Sequence, residues 1–138
     1  DIEPYRRLKL DAVMPAHVIY PQIDEKSSGF SKYWQRYLRK NLGFDGVVFS
    51  DDLSMQGASV AGDIVDRANA AWSAGCDMLL VCNAPDDVGE LLTRWHPRLI
   101  ARRAKRIGRL LPALPNENLF ESPHYRNGVA VAQSLQAQ

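Results

Sequence analysis

The sequence predicts an α/β fold built on parallel strands, and three observations carry that expectation. Short apolar, β-branched runs begin near residues 12, 46 and 78, a spacing of about 32 to 34 residues. Each run is followed by a stretch with apolar residues at helical spacing and cap-forming residues at its ends. The second and third runs show no apolar–polar alternation, which is the pattern of a strand buried on both faces. The 138 residues amount to one ordinary domain, and 46% hydrophobic with 24% charged residues excludes a disordered chain, a collagen or a coiled-coil rod.

The first strand is read in the apolar run from Ala12 to Tyr20, which ends in the turn-rich stretch from Pro21 to Gly29. Residues 2–10 leave room for a further strand. Ser31 suits the N-cap of a helix over residues 32–40, with Trp34, Tyr37, Leu38 and Leu42 on one face and Gly43 at the C-cap. The second strand is Gly46 to Ser50. Asp63 caps the next helix, Asp66 places an acid in its first turn, and Gly75 ends it after Ala74. The third strand is Met78 to Cys82, and Asn83 to Asp87 opens a third helix with Pro85 in its first turn.

After residue 97 the alternation stops. A basic helix follows, in which Arg98, Arg102, Arg103, Lys105, Arg106 and Arg109 interleave with Leu99, Ile100, Ile107 and Leu110 as a solvated face. Pro112, Pro115, Pro123 and Gly128 then mark a loose tail. The expected division is therefore residues 1–97 as βα units and residues 98–138 as basic C-terminal helix and tail. Two architectures use such units. A flavodoxin-like sheet needs about five strands, and an eight-fold (β/α)8 TIM-type barrel needs roughly 250 residues, of which three units would be the last portion. The opening Asp1-Ile2-Glu3-Pro4 lacks an initiator Met and reads as a cut end.

Charge and composition narrow the partners. The net charge is +1, with −4 over residues 1–97 (10 Lys and Arg against 14 Asp and Glu) and +5 over residues 98–138 (7 against 2). Because apolar residues thread the basic segment, no nucleic acid partner is expected. No apolar run reaches the roughly 18 to 20 residues of a membrane span, and nothing reads as a signal peptide. Cys76 and Cys82 read as two reduced, buried thiols of a cytosolic protein.

Chemistry in parallel α/β folds gathers at the C-terminal ends of strands. The three ends carry His17, Ser50-Asp51-Asp52 and Cys82-Asn83. A carboxylate at the lip of a buried strand loses hydration, so it needs something to bind. It could be a nucleophile in glycosyl transfer, a phosphoacceptor or a magnesium ligand. The last two usually bring Gly-rich phosphate loops or further carboxylates, and His17 and Asn83 are poor magnesium ligands, so neither metal nor cofactor is expected. Asp52 also suits a cap on the turn at Leu53-Ser54-Met55. His17, near Met14 and Tyr20, reads as a binding residue, and His96 and His124 as surface residues.

Two strings are distinctive: Met14-Pro15-Ala16-His17-Val18-Ile19-Tyr20-Pro21-Gln22, and Leu42-Gly43-Phe44-Asp45-Gly46-Val47-Val48-Phe49-Ser50-Asp51-Asp52-Leu53-Ser54-Met55. Together with Ala74-Gly75-Cys76-Asp77-Met78 and Val81-Cys82-Asn83, they resemble the β-N-acetylhexosaminidases of glycoside hydrolase family three, the bacterial cytoplasmic peptidoglycan-recycling type most closely. The likeness runs over residues 1–95. It implies a (β/α)8 barrel, here incomplete, with Asp51 as catalytic nucleophile and Met14, His17 and Asn83 as substrate-binding residues. It also implies hydrolysis, with retention, of terminal β-linked N-acetylglucosamine from GlcNAc-anhydroMurNAc peptides in the cytoplasm, without cofactor or metal. The family's Lys-His-Phe-Pro-Gly-His-Gly-like motif and Asp-x-His dyad do not occur in these residues. The acid/base is therefore expected on a missing N-terminal portion of the same enzyme. Two other functions fit the same residues: an amino-sugar or muropeptide binder that is catalytically incomplete, and a phosphate- or magnesium-dependent α/β protein using Asp51.

Overall fold

The computed structural model describes residues 2–112 and 118–136. Its strands are β1 (Ala12–Val13), β2 (Ile19–Tyr20), β3 (Asp24–Ser27), β4 (Val47–Asp52) and β5 (Met78–Leu80). Its helices are α1 (Glu3–Arg7), α2 (Lys32–Lys40), α3 (Ile64–Ala74), α4 (Pro85–Arg94), α5 (Ala101–Gly108) and α6 (Pro123–Gln136). A 3-10 helix spans Gln56–Ala61 and a shorter one Leu119–Glu121.

The central sheet has the order β1–β4–β5 and is parallel throughout, with Ala12 opposite Val47 and Phe49 opposite Met78. This is the expected sheet of three neighbouring parallel strands. Val47, Val48 and Leu53 are fully buried, and Phe30, Ala58, Ile64, Ala68, Ala71 and Cys76 pack with Val48 and Leu53 into one core. Each large apolar side chain buried there contributes about 1.5–3 kcal/mol by leaving water. The chain closes tightly at the start of β4. A Cβ on Gly46 would lie 2.3 Å from the Asp11 carbonyl, which accepts the Val47 N–H at 2.9 Å.

The first expected strand is split. Only Ala12–Val13 joins the parallel sheet, while Ile19–Tyr20 pairs antiparallel with Asp24–Ser27 in a separate hairpin. Pro15, with no N–H to offer a ladder, stands in the gap between them. The charged Asp24-Glu25-Lys26 run carries no apolar alternation, so its strand is invisible to pattern reading. Residues 2–10 hold the short helix α1 rather than a strand.

The helix ends follow the capping chemistry. The Ser31 hydroxyl accepts the Trp34 N–H at 3.0 Å, and Gly43 takes a left-handed φ of 66° just past α2. Asp63 and Asp66 form a reciprocal capping box at the start of α3. On α2 the buried residue is Gln35, at 4% exposure, whereas Trp34, Tyr37 and Leu38 are half-buried. Trp34 instead meets Tyr20, Tyr33 and Tyr37 edge-on in an aromatic row.

The basic segment keeps its expected solvated face in part: Arg98, Arg102, Lys105 and Arg109 are exposed, but Arg103 is buried and Arg106 half-buried. The Asp77 carboxylate, wholly buried before β5, pairs with Arg39 of α2 at 2.6 Å and Arg106 of α5 at 3.2 Å, and accepts the Val48 N–H at 2.9 Å. Arg103 lies over the Trp72 ring, 3.7 Å from its centre, and donates to the Trp72 carbonyl at 2.8 Å. Burial works against the charge on Arg39 and Arg103 and holds both below their ordinary values, with Asp77 opposing it only in part. The tail is not simply loose either: Pro123 begins α6 and Gly128 lies within it, while Pro115 falls outside the described residues. Cys76 is buried, and burial pushes its thiol up to about 12; Cys82 is only half-buried. No described helix is long and apolar enough to cross a membrane.

Candidate active site

β4 carries two carboxylates at its C-terminal end, and their surroundings differ. Asp51 is half-buried. Its Oδ1 accepts the Asp52 N–H at 2.9 Å and its Oδ2 accepts the His17 N–H at 3.4 Å. Each oxygen of Asp51 thus takes one hydrogen bond from a protein amide and keeps lone-pair capacity for a ligand. Asp52 turns the other way. Its Oδ1 accepts the Ser54 N–H at 2.9 Å and the Cys82 N–H at 3.0 Å, and the Ser54 hydroxyl lies 2.7 Å away. Burial pushes the Asp52 carboxyl up, but the Ser54 hydroxyl, the Cys82 and Ser54 amides and the neighbouring His17 outweigh it and hold it below its ordinary value.

His17 sits in the loop between β1 and β2. Its Nε2 lies 3.0 Å from the Asp52 carbonyl oxygen. A carbonyl can only accept, so Nε2 carries the proton in this contact and Nδ1 faces the other way, buried and without a partner among the described residues. The ring rests against Phe30, 5.2 Å between centres. Gly57 makes room on another side, where a Cβ would lie 3.0 Å from that of His17.

The structure therefore brings His17 and Asp51 together. Met14 directly follows β1 and is exposed, and Asn83 follows β5, exposed, with a left-handed φ of 54°. Both stand at the same end of the sheet, but the Asn83 side chain makes no hydrogen bond to the His17–Asp51 pair among the described residues. His96 and His124 are exposed. Two cavities of about 460 and 330 Å³ lie elsewhere, one between α2 and α5 and one beside Trp72 and Trp95, and neither is lined by any of these four residues. Among the described residues no group of three His, Cys, Asp or Glu side chains is placed to hold a metal ion.

The family model described as glycosyl hydrolase family 3, N terminal domain, matches residues 1–109. The chain belongs to glycosyl hydrolase family 3. A beta-hexosaminidase of Bordetella parapertussis is 51% identical over 145 residues, which cover all of this family 3 chain and 40% of that protein. A beta-hexosaminidase of Aromatoleum aromaticum is 56% identical over 111 residues, 78% of this chain and 31% of that one. Among solved structures, NagZ from Neisseria gonorrhoeae in complex with N-trifluoroacetyl-D-glucosamine superposes with a TM-score of 0.76 at 39% identity, over 94% of this chain and 38% of that chain. The chain thus spans between 31% and 40% of the length of these relatives.

Two residues of this family 3 site escape a reading of motifs for reactive groups. Ser50 is buried, and its hydroxyl accepts the Leu80 N–H at 2.9 Å, standing in for a backbone carbonyl between β4 and β5. Ser54 reaches both Asp52 and, at 2.8 Å, the Cys82 carbonyl. An Asp followed two residues later by Ser is a turn signal, so Ser54 was findable in principle. Ser50 carries no comparable local signal.

Proposed function

We propose that the enzyme containing this chain hydrolyses terminal non-reducing β-linked N-acetylglucosamine residues by a retaining double displacement, with Asp51 as the nucleophile. The observation that carries the reading is the placement of Asp51: at the C-terminal end of the central parallel strand, beside His17, with each carboxylate oxygen accepting only one amide. The beta-hexosaminidase relatives and the NagZ complex with an N-acylglucosamine support the sugar class. In the first step an oxygen of Asp51 bonds to the anomeric carbon while the bond to the leaving oxygen breaks, and a general acid protonates that oxygen. In the second step water, deprotonated by the same group, displaces Asp51 and restores the anomeric configuration. That acid/base belongs to the N-terminal portion of the enzyme, which also supplies the remaining strands of a (β/α)8 barrel whose last βα units are found here.

Met14, His17 and Asn83, at the ends of the strands flanking Asp51 or in the loop beside it, bind the sugar. The substrates are GlcNAc-anhydroMurNAc peptides of peptidoglycan recycling, and the enzyme works in the cytoplasm. Trapping with a 5-fluoro amino-sugar analogue, followed by peptide mapping, tests the mechanism. The label is expected on the peptide containing Phe49-Ser50-Asp51, and Asp51→Ala should lower kcat by at least about 10³-fold. A label on another residue, or product with inverted configuration, would overturn the assignment.

A further inference from the structure

Between the pairs Phe49–Met78 and Asp52–Leu80, β4 advances three residues while β5 advances two. β4 therefore bulges, and Asp51 stands inside the bulge. A bulge re-aims a side chain out of the ladder, yet it is also where a strand can slip, and a slip of one residue turns every side chain to the opposite face. Something has to pin it. On the near side Ser50 takes the Leu80 N–H. On the far side three different groups of Asp52 hold three parts of the site. Its carboxylate accepts the amides of Ser54 and Cys82, its N–H donates to Asp51 Oδ1, and its carbonyl accepts from His17 Nε2. The one Ser54 hydroxyl proton faces two acceptors: given to the Cys82 carbonyl it joins the tips of β4 and β5, and given to Asp52 Oδ1 it holds the carboxylate that already takes the Cys82 N–H.

We propose that Asp52 is the positioning residue of this site: with Ser54 it clasps the β4 bulge to the end of β5 and thereby fixes the direction in which Asp51 and His17 are presented. The proposal rests on Asp51 being the nucleophile. Asp52 itself need touch no substrate. Its effect is on alignment, where a displacement of about 1 Å is worth roughly 10²-fold in rate.

The test uses the full-length enzyme, turnover of 4-nitrophenyl N-acetyl-β-glucosaminide, and calorimetric binding of N-acetylglucosamine. Asp52→Ala is expected to lower kcat about 10²-fold with KM changed less than about threefold and with the stoichiometry of sugar binding intact. Asp52→Asn keeps an acceptor oxygen for Cys82 and Ser54, and should recover activity to within about tenfold of the parent. A kcat loss under about tenfold for Asp52→Ala, or a loss matched by an equal fall in binding stoichiometry, overturns the proposal, the second by showing a merely structural role. If Asp52→Ala does not fold, Ser54→Ala decides: a fall in kcat of about threefold or more at unchanged KM supports the clasp, and a smaller one overturns it. Asp51→Ala in the same series separates the two readings. Turnover retained there sinks the nucleophile assignment itself. An inactive Asp51 variant beside a normal Asp52→Ala sinks only the clasp.

Discussion

Asp51 and Asp52 are chemically identical neighbours that the backbone sends in opposite directions, one to a pair of amides beside His17 and the other to Ser54 and Cys82. The second environment has a consequence for acid stability. Asp52, Asp45 and Asp24 are all held below their ordinary values. For Asp52, hydrogen bonds outweigh burial, Asp45 accepts from Arg106 and Arg109, and Asp24 accepts from the Ser31 hydroxyl. As pH falls, the unfolded chain therefore takes up protons before the folded one does. The stabilisation is fully present above the unfolded carboxyl value of about 4 and is lost as pH drops through the lower folded values. Thermal melts of the full-length enzyme are expected to hold Tm from pH 7 to about 5 and to lose it steeply below about 4, with a shallower loss in Asp52→Asn. A parent and variant with superimposable acid limbs would show that Asp52 contributes nothing.

At the scale of elements, the Asp77 cluster joins α2, α5 and the sheet through one buried carboxylate. Removing that carboxylate leaves Arg39 and Arg106 without their buried partner, so Asp77→Ala should destabilise by about 3–5 kcal/mol in denaturant melts. A cost below about 1 kcal/mol would mean that the arginines simply turn out to solvent. This cluster also marks what the sequence could convey. Helix caps are local: the Ser31 and Asp63 side chains accept backbone N–H groups three residues on, and Gly75 closes α3 through its own N–H to the Ala71 carbonyl, so all three mark their helix ends correctly. The β-branched core of β4 and its two terminal aspartates were legible for the same reason, as periodicity and order along the chain. The contacts of Asp77 with α5, 29 positions away at Arg106, leave no periodic trace, so Arg103 and Arg106 look like any solvated basic face until folded. Pro15 was visible, but not the way it divides one apolar run between two sheets.

For the whole molecule, the order β1–β4–β5 leaves β1 and β5 each paired on one side only among the described residues, and Met14, Ile19, Tyr20 and Leu99 are exposed. Open edges and uncovered apolar surface invite association. Expressed alone, the 138-residue chain is expected to self-associate with rising concentration in light scattering, and a monodisperse, cooperatively melting monomer of 15.5 kDa would contradict that. The parallel sheet also separates two kinds of residue along its length. The Asp77 cluster lies where β4 and β5 begin, and the Asp51–His17 pair lies where β4 ends. Chain folding is thus secured at one end of the strands and the half-buried Asp51 carboxylate presented at the other. Under selection this makes the two ends nearly independent territories. Substitutions that tighten the lower end build up a reserve of stability, and the upper end can spend it on new and initially clumsy sugar contacts before the fold is endangered. A lineage carrying this chain can in that way change what it recognises without first relearning how to fold.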